Sequence, residues 1–407
     1  MRCRFRGVHP CAVLDLDDPY PTLARLTRAE PVSRIADSSF YLVTSWDAIA
    51  EAVARTDDFS SNLTATMVWK DDGTVERHPI AELGSPLHVL ATADDPDHKR
   101  HRAMVMPSLV AKRVRDLEPF IDRTVQQLWD DGVVDGQIDW VSRVAQRLPM
   151  AVVAELLGFP VVDIDDLVRW SFAATILLDG VVTTAQLETA SEAVGELSEY
   201  LSSAFDSSLS QPRENVMGDL ARLVEVGTLD RDTAVMISLQ LVAAGAESTV
   251  SLLGSAVYLL GRNPHIVDRL RGDRELIPRF IEEALRLESP FRGHYRHVVA
   301  DTELHDVDLP AESHLYLMWG AANRDPDTFD DPDEVDLDSS ARRTHMAFGK
   351  GLHLCVGAAL ARLEGRVAIE CLLDRTPRGF TVDTANPAWE HSLLVRRLRS
   401  LPMRIVA

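Results

Sequence analysis

Residues 229–261 read as one long helix, apolar through its middle, and this run constrains the fold more than any other feature of the chain. Asp230 stands where an N-cap acceptor is needed, and Gly261-Arg-Asn-Pro264 supplies the stop. A helix that is apolar on most of its faces belongs in a core, with other elements packed around it. The chain has material for such a core: 407 residues, 46% hydrophobic and 26% charged. At ~150 residues per domain the length suggests two or three domains. No Gly/Ser- or Pro-rich linker, repeat or low-complexity tract divides it, so one large domain over residues 1–407 is expected.

Around that run the chain reads as mostly helical, over residues 96–112, 116–131, 138–157, 163–178, 184–209, 275–287 and 356–375. Residues 46–56 read as a shorter amphipathic helix. Strand-like runs occupy residues 39–44, 295–299, 314–319 and 393–406, and residues 325–338 form an acidic, Pro-rich loop. Residues 60–93 lack clear periodicity and are punctuated by Asp71-Asp72-Gly73 and Gly84-Ser85-Pro86. The expected class is mainly α with minor β.

Charge and cysteine content exclude several functions. Lys plus Arg number 42 against 63 Asp plus Glu, a formal charge of −21. That balance argues against nucleic acid, which needs a basic footprint, and against a polybasic membrane anchor. The start is basic but carries no apolar signal core, and no stretch approaches the ~20 apolar residues of a membrane span. The four cysteines, Cys3, Cys11, Cys355 and Cys371, are too few for a disulfide scaffold and form no CxxC pair. A soluble protein of a reducing cytoplasm is expected, with neither nucleic acid nor membrane as partner.

The segment that carries chemistry is Phe348-Gly-Lys-Gly-Leu-His-Leu-Cys-Val-Gly-Ala-Ala-Leu-Ala-Arg-Leu-Glu364. Cys355 sits where a glycine-punctuated loop enters a helix. N–H groups and the dipole at a helix start stabilise a thiolate, and Gly349 and Gly351 let the backbone approach a flat ligand. A thiolate so placed is a good axial ligand for haem iron. A lone cysteine is more often a small buried hydrophobe, which is how Cys371 reads. A zinc site fails for want of a second ligand pair, and covalent haem would need CxxCH. Elsewhere, Glu283 and Arg286 share a helix face at i, i+3, and Glu247 lies inside the apolar helix, where a carboxylate needs a role or a partner.

The Cys355 segment resembles the haem-ligand signature of the cytochrome P450 family. The pattern FGxGxHxCxGxxLARxE is matched at Phe348, Gly349, Gly351, His353, Cys355, Gly357, Leu360, Ala361, Arg362 and Glu364. Leu42-Val-Thr-Ser, Asp58-Phe-Ser-Ser-Asn62, Gly320-Ala-Ala-Asn-Arg-Asp-Pro326, Asp331-Pro-Asp333 and Leu398-Arg-Ser-Leu-Pro402 extend the likeness over essentially the whole chain. The resemblance implies a P450 fold with haem b between the long central helix and the Cys-loop helix. Cys355 is then the iron ligand, with Phe348, Gly349 and Gly357 against the haem. His98, Arg102, Arg296 and His353 are implied as propionate contacts, and Glu283–Arg286 as the structural ExxR pair. Ala243-Ala-Gly-Ala-Glu-Ser-Thr249 resembles the oxygen-activation segment. Gly245 would make room for dioxygen and allow local distortion of the helix, Glu247 would relay protons, and Ser248 would supply the hydroxyl, with Thr249 as a substitute. Ser248 departs from the usual Thr. Glu334-Val335 departs from the Arg-Phe often found in the meander, leaving a third partner for the ExxR pair unassigned.

The same resemblance implies a monooxygenase that inserts one oxygen atom from O2 into a hydrophobic small molecule, natural-product intermediates among them. Met67, Val68, Trp69, Leu87, Val89, Ile176, Leu177, Leu178, Leu241, Phe291 and Leu394 are expected to face the substrate, with Gln240, His88 or His294 orienting it. No flavin or iron–sulfur module is expected in the chain, so electrons would come from a ferredoxin and its NAD(P)H-dependent reductase. Lys112, Arg113, Arg115, Lys350, Arg362 and Arg366 are candidates for a basic docking patch. The alternatives are a peroxide-driven or non-redox haem-thiolate enzyme and a non-enzymatic haem-binding protein.

Overall fold

In the computed structural model, which describes residues 15–69, 74–83, 87–160, 163–339 and 344–406, the apolar run is one unbroken helix, Arg231–Arg262. Asp230 caps it as expected, accepting hydrogen bonds from Thr233 N at 2.8 Å and Thr233 Oγ1 at 2.6 Å. Every residue from Thr249 to Leu260 is buried. Nearer the start, residues 240, 241, 244, 245 and 248 stay open, a helical stripe that forms one wall of a cavity. By length and hydropathy this helix could cross a membrane, contrary to the reading that no stretch comes close. Over half of that window, 56%, is instead buried against the rest of the protein.

Helices Leu148–Leu157, Ile164–Ile176 and Thr184–Ser210 pack on one side of the central helix, and Ile277–Leu287 and Ala358–Arg375 on the other. Two elements differ from the sequence reading. The helix expected over residues 96–112 is Asp97–Val105, a tight turn Met106–Leu109 and a second helix Ala111–Asp116. Pro107 lacks an N–H and its ring clashes with the preceding turn, so the helix cannot run through. The helix expected over residues 138–157 opens as a strand, Gln137–Asp139, paired with Pro402–Ile405, and turns helical after a wide turn at Val141–Ala145. A short apolar run reads alike as strand or buried helix, and the distant partner decides.

Helices Tyr20–Ala29, Val216–Glu225 and Pro264–Gly272 were not anticipated. Residues 65–79 contain an antiparallel pair, Ala65–Trp69 with Val75–Pro79, where no element was expected. The run over residues 393–406 narrows to two short strands, Leu398–Ser400 and Pro402–Ile405. Cys3, Cys11 and the turns at Asp71-Asp72-Gly73 and Gly84-Ser85-Pro86 lie outside the described residues.

The main sheet runs in the order Val32–Arg34, Phe40–Val43, His314–Leu317, His294–Val298, Phe59–Ser60. Its Phe40–Val43 and His314–Leu317 strands pair in parallel, and the remaining pairs are antiparallel. The register places Arg296 opposite Leu315.

Glu283 and Arg286 are 1% and 0% exposed and pair through two bonds, Nε to Oε1 at 2.8 Å and Nη2 to Oε2 at 2.9 Å. The unassigned third partner is main chain. Arg286 Nη1 donates to Asn323 O and Pro332 O, and Nη2 donates to Glu334 O. Backbone carbonyls serve whatever side chains the meander carries, so the Glu334-Val335 departure is harmless.

Candidate active site

The meander held by Arg286 leads into the Cys355 loop. Asn323 Oδ1 accepts from Met346 N at 2.6 Å, and Cys355 N donates to Phe348 O at 2.9 Å, closing the loop on itself. Gly349 and Gly351 have φ of +73° and +72°, a region costly for side-chain-bearing residues. The helix Ala358–Arg375 begins just beyond, with Gly357 as cap. Burial pushes the Cys355 thiol up. The N–H groups of Gly357 and Ala358 and the charges of Arg102 and Arg362 pull it the other way. The helix start thus acts as expected but does not outweigh burial, and a bound metal would complete the deprotonation.

Cys355 opens onto a cavity with a basic wall. His98 and Arg102 on helix Asp97–Val105, Arg296 on its strand and His353 in the loop all line it. The His98 and His353 rings lie 4.1 Å apart. Arg102 Nη1 donates to Leu354 O, and Arg296 Nη1 to Tyr295 O, both at 2.7 Å. Among the described residues neither guanidinium forms an ion pair. Asp94, the acid that acts on Arg296 from nearby, is engaged by Ser60 Oγ and Ser61 N.

Burial lowers Arg296 to about 10. Burial, then the positive charges of Arg296, His98 and Arg102, push His353 down to about 3. His353 Nδ1 is buried without a hydrogen-bond partner. His98 Nδ1 lies 3.4 Å from Asp95 Oδ1, so the two guanidiniums are the charges in this space that call for an anion, with the imidazoles as hydrogen-bonding neighbours. The lining suits a flat dianionic macrocycle: the basic side chains would hold its acid groups and Cys355 its metal.

On that helix Gly245, Ser248 and Thr249 line the cavity, and Glu247 does not. The distortion expected at Gly245 is absent. The glycine serves packing instead, since a Cβ there would stand 3.1 Å from Val153 Cγ2. Ser248 Oγ donates to Ala244 O at 2.7 Å and Thr249 Oγ1 to Gly245 O at 3.2 Å. Glu247, 2% exposed, points away from the cavity, accepting from Arg397 Nε at 2.8 Å and from Thr175 Oγ1. Burial pushes its carboxyl up against the pull of Arg397.

Two further groups lie in the wall: Glu364, matched in the signature without a role, and Trp319, which the sequence reading did not single out. Glu364 is 2% exposed, its Oε2 has no partner, and burial alone pushes its carboxyl well above the usual range. Trp319 Nε1 donates to His294 Nδ1 at 2.7 Å. Burial, then Arg296, lowers His294 to about 4. The neutral ring, its tautomer assigned from that bond, carries the proton on Nε2.

The space enclosed, mouth included, is about 1560 Å³. Of the expected substrate-facing residues, Gln240, Leu241, Phe291 and His294 line it. Val68 packs with Val182 and Leu187, Met67 with Tyr295 and Leu393, and Leu87 and Ile176 are exposed. Leu90, Val153, Leu157 and Leu285 line the cavity unannounced.

The basic docking patch is largely neutralised within the chain. Arg362 grips Glu282 at 2.7 and 2.8 Å, Arg366 pairs with Glu118 at 2.6 Å, and Arg113 with Asp219 at 2.7 Å. Lys112 and Arg115 are exposed and form no ion pair among the described residues, and Lys350 lies over the Trp46 ring.

Comparison with known proteins agrees with this geometry. The family model for Cytochrome P450 matches residues 187–385. The chain is 50% identical over 390 residues to "Cytochrome P450 144" of Mycobacterium tuberculosis (strain CDC 1551 / Oshkosh), covering 96% of this chain and 89% of the relative. It is 32% identical over 400 residues to 6-deoxyerythronolide B hydroxylase of Saccharopolyspora erythraea, covering 95% and 96%. Among solved structures it matches the cytochrome P450 enzyme CxnD, titled for C–S bond formation in chuangxinmycin biosynthesis, with a TM-score of 0.87, 28% identity and coverage of 99% and 98%.

Proposed function

Because the chain belongs to the cytochrome P450 family and is a haem-dependent oxidoreductase of its monooxygenase class, we propose that Cys355 is the thiolate ligand of the haem iron. The observation that carries this reading is the meeting, in one cavity, of the Cys355 thiol, the guanidiniums of Arg102 and Arg296 with the His98 and His353 rings beside them, and the hydroxyl-bearing face of the central helix. When bound, the haem supplies the iron chemistry that activates O2, with the thiolate donating electron density that favours O–O cleavage.

This chain's residues do the rest. His98, Arg102, Arg296 and His353 bind the propionates of a haem b, while Phe348, Gly349 and Gly357 form the surface against its face. Gly245 keeps the helix wall low. Ser248 Oγ and Thr249 Oγ1 pass protons into the cavity, and Glu247, kept protonatable by burial, supplies them from the core side. Leu90, Leu241, Phe291 and their apolar neighbours exclude water and hold a hydrophobic substrate.

A natural-product substrate is supported by the relative named for hydroxylating 6-deoxyerythronolide B. Electrons come from a ferredoxin and an NAD(P)H-dependent reductase in the cytoplasm, and residues 1–407 act as one domain.

The test is spectroscopic. Reduced protein under carbon monoxide gives the red-shifted Soret band of thiolate ligation, Cys355→Ala abolishes it and Cys371→Ala leaves it. A histidine-type spectrum in the wild type overturns the assignment. Turnover with a ferredoxin system, and none with hydrogen peroxide alone, separates the monooxygenase from a peroxide-driven enzyme.

A further inference from the structure

Leu90 lines the cavity with a φ of +40°, in the left-handed region where a leucine is seldom found. Such a conformation persists only where the surroundings over-determine it. Two anchors do so here. After the turn, Asp94 is fixed by Ser60 Oγ and by Ser61 N at 2.7 Å. At the turn itself the anchor is Gln240, about 150 residues away on the central helix. Its Oε1 accepts from Ala91 N at 3.2 Å, and its Nε2 donates to Thr92 Oγ1 at 3.1 Å.

Thr92 Oγ1 also donates to Val89 O at 3.1 Å and accepts from Val89 N at 3.3 Å. One donor and two acceptor positions exhaust a hydroxyl. The amide of Gln240 has a single workable orientation, since the flipped form would set its NH2 against the Ala91 N–H.

Gln240 was expected to orient substrate directly, because it is a polar side chain in an apolar wall. Each end of its amide instead bonds the Val89–Thr92 turn. We propose that Gln240 is a positioning residue for substrate selection: with Thr92 it clamps this turn to the central helix and so sets Leu90 as a fixed wall of the cavity. The inference rests on the reading of this cavity as the substrate site. The clamp determines how large an apolar molecule the cavity accepts, and Leu90 moves when the amide lets go.

The holoenzyme provides the test, with imidazole and 4-phenylimidazole as small and large probes of the cavity, read by the Soret shift on binding. In Gln240→Leu the Ala91 amide exchanges with solvent about tenfold faster, the loss of one hydrogen bond of ordinary strength. The dissociation constant for 4-phenylimidazole changes by roughly fivefold or more, while that for imidazole stays within about twofold, since only the larger probe reaches the wall. Thr92→Val behaves like Gln240→Leu, Thr92→Ser restores the wild-type pattern, and the double variant goes no further than either single one. Unchanged Ala91 exchange in Gln240→Leu, equal shifts for both probes, or a wild-type Thr92→Val overturns the proposal. If neither probe shifts the Soret band of the wild type, the haem-site reading is what fails, and Ala91 exchange still decides whether the clamp exists.

Discussion

Arg286→Lys keeps the charge at the centre of the molecule and removes the fork that distributes it. All five N–H groups of Arg286 find acceptors: two on Glu283 and three main-chain carbonyls, of Asn323, Pro332 and Glu334. An ammonium offers three donors from a single point, so at least two acceptors, in a place where Arg286 is 0% exposed, lose their partner. At ~1–3 kcal/mol for each buried group left unsatisfied, the cost is about 2–6 kcal/mol. With an unfolding entropy of ~2 cal/mol/K per residue, that lowers the melting temperature of a chain this long by about 2–7 °C. The loss also reaches the site, because Asn323, one of the stranded carbonyls, holds the start of the Cys355 loop through Met346 N. The assay is a thermal melt at 222 nm beside the carbon monoxide spectrum of the reduced protein. Arg286→Lys is expected to melt early and to lose the thiolate-type band in proportion. If it melts within 1 °C of wild type with its full band, the claim that this fork positions the Cys355 loop is wrong.

Three other outcomes follow from the charges around the site. Burial alone would raise Glu282, but the bonds from Arg362 and His345 hold it down at about 2. A depressed carboxylate stabilises the fold above its ordinary value of 4.5 and loses that contribution as pH falls toward 2, so the melting curves of wild type and Glu282→Gln should converge across that window and differ above it. Glu247→Gln should lower turnover by about 10²-fold or more with an unchanged carbon monoxide spectrum, because the proton supply and not the haem is removed; unchanged turnover would clear Glu247 of that role. Reversing Lys112 and Arg115 should slow reduction by a ferredoxin and flatten its salt dependence, whereas Arg362→Gln should first lower stability, since its charge is spent on Glu282.

What could be read from the sequence divides by range. The helix Thr184–Ser210 was placed to within a residue because its apolar spacing is local, and the Thr183/Gln186 box that the structure shows at its start, not used in that reading, is local as well. The Cys355 loop was equally legible, its glycines and cysteine being adjacent in the chain. The cavity wall was not. Leu90 enters it through a left-handed backbone fixed by a glutamine about 150 residues on, and nothing in the neighbouring residues announces that. Helix Val216–Glu225 was missed although Asn215 caps it on Gly218 N at 2.9 Å, because the Pro and charged residues just before it read as loop. Glu247 was found by its anomaly, an acid in an apolar helix, but Arg397 and Thr175 come from distant segments, so its direction could not be foreseen.

The same distinction changes the meaning of the net charge. A formal −21 describes the chain, while a partner meets the surface. Arg286, Arg292, Arg296, Arg396 and Arg397 are all at most 8% exposed, so a good part of the positive charge lies inside the protein. There it satisfies Glu283, Glu247, Glu288 and the main chain. On the face nearest Cys355, Arg113, Arg362 and Arg366 are already opposed by carboxylates. Buried acids match the buried arginines, since Asp179, Glu247, Glu283, Glu288, Asp325 and Glu364 are buried too, so the surface stays about as acidic as composition suggests. Among the described residues the free cations near the site reduce to a few, Lys112 and Arg115 among them. Leu352, 46% exposed, stands next to His353, whereas Leu354 lines the cavity. An electron donor that docks on this face is expected to meet an exposed leucine with a small cationic edge. Its association should respond to salt as a contact of few charges does, and removing Leu352 should weaken it as much as removing a lysine.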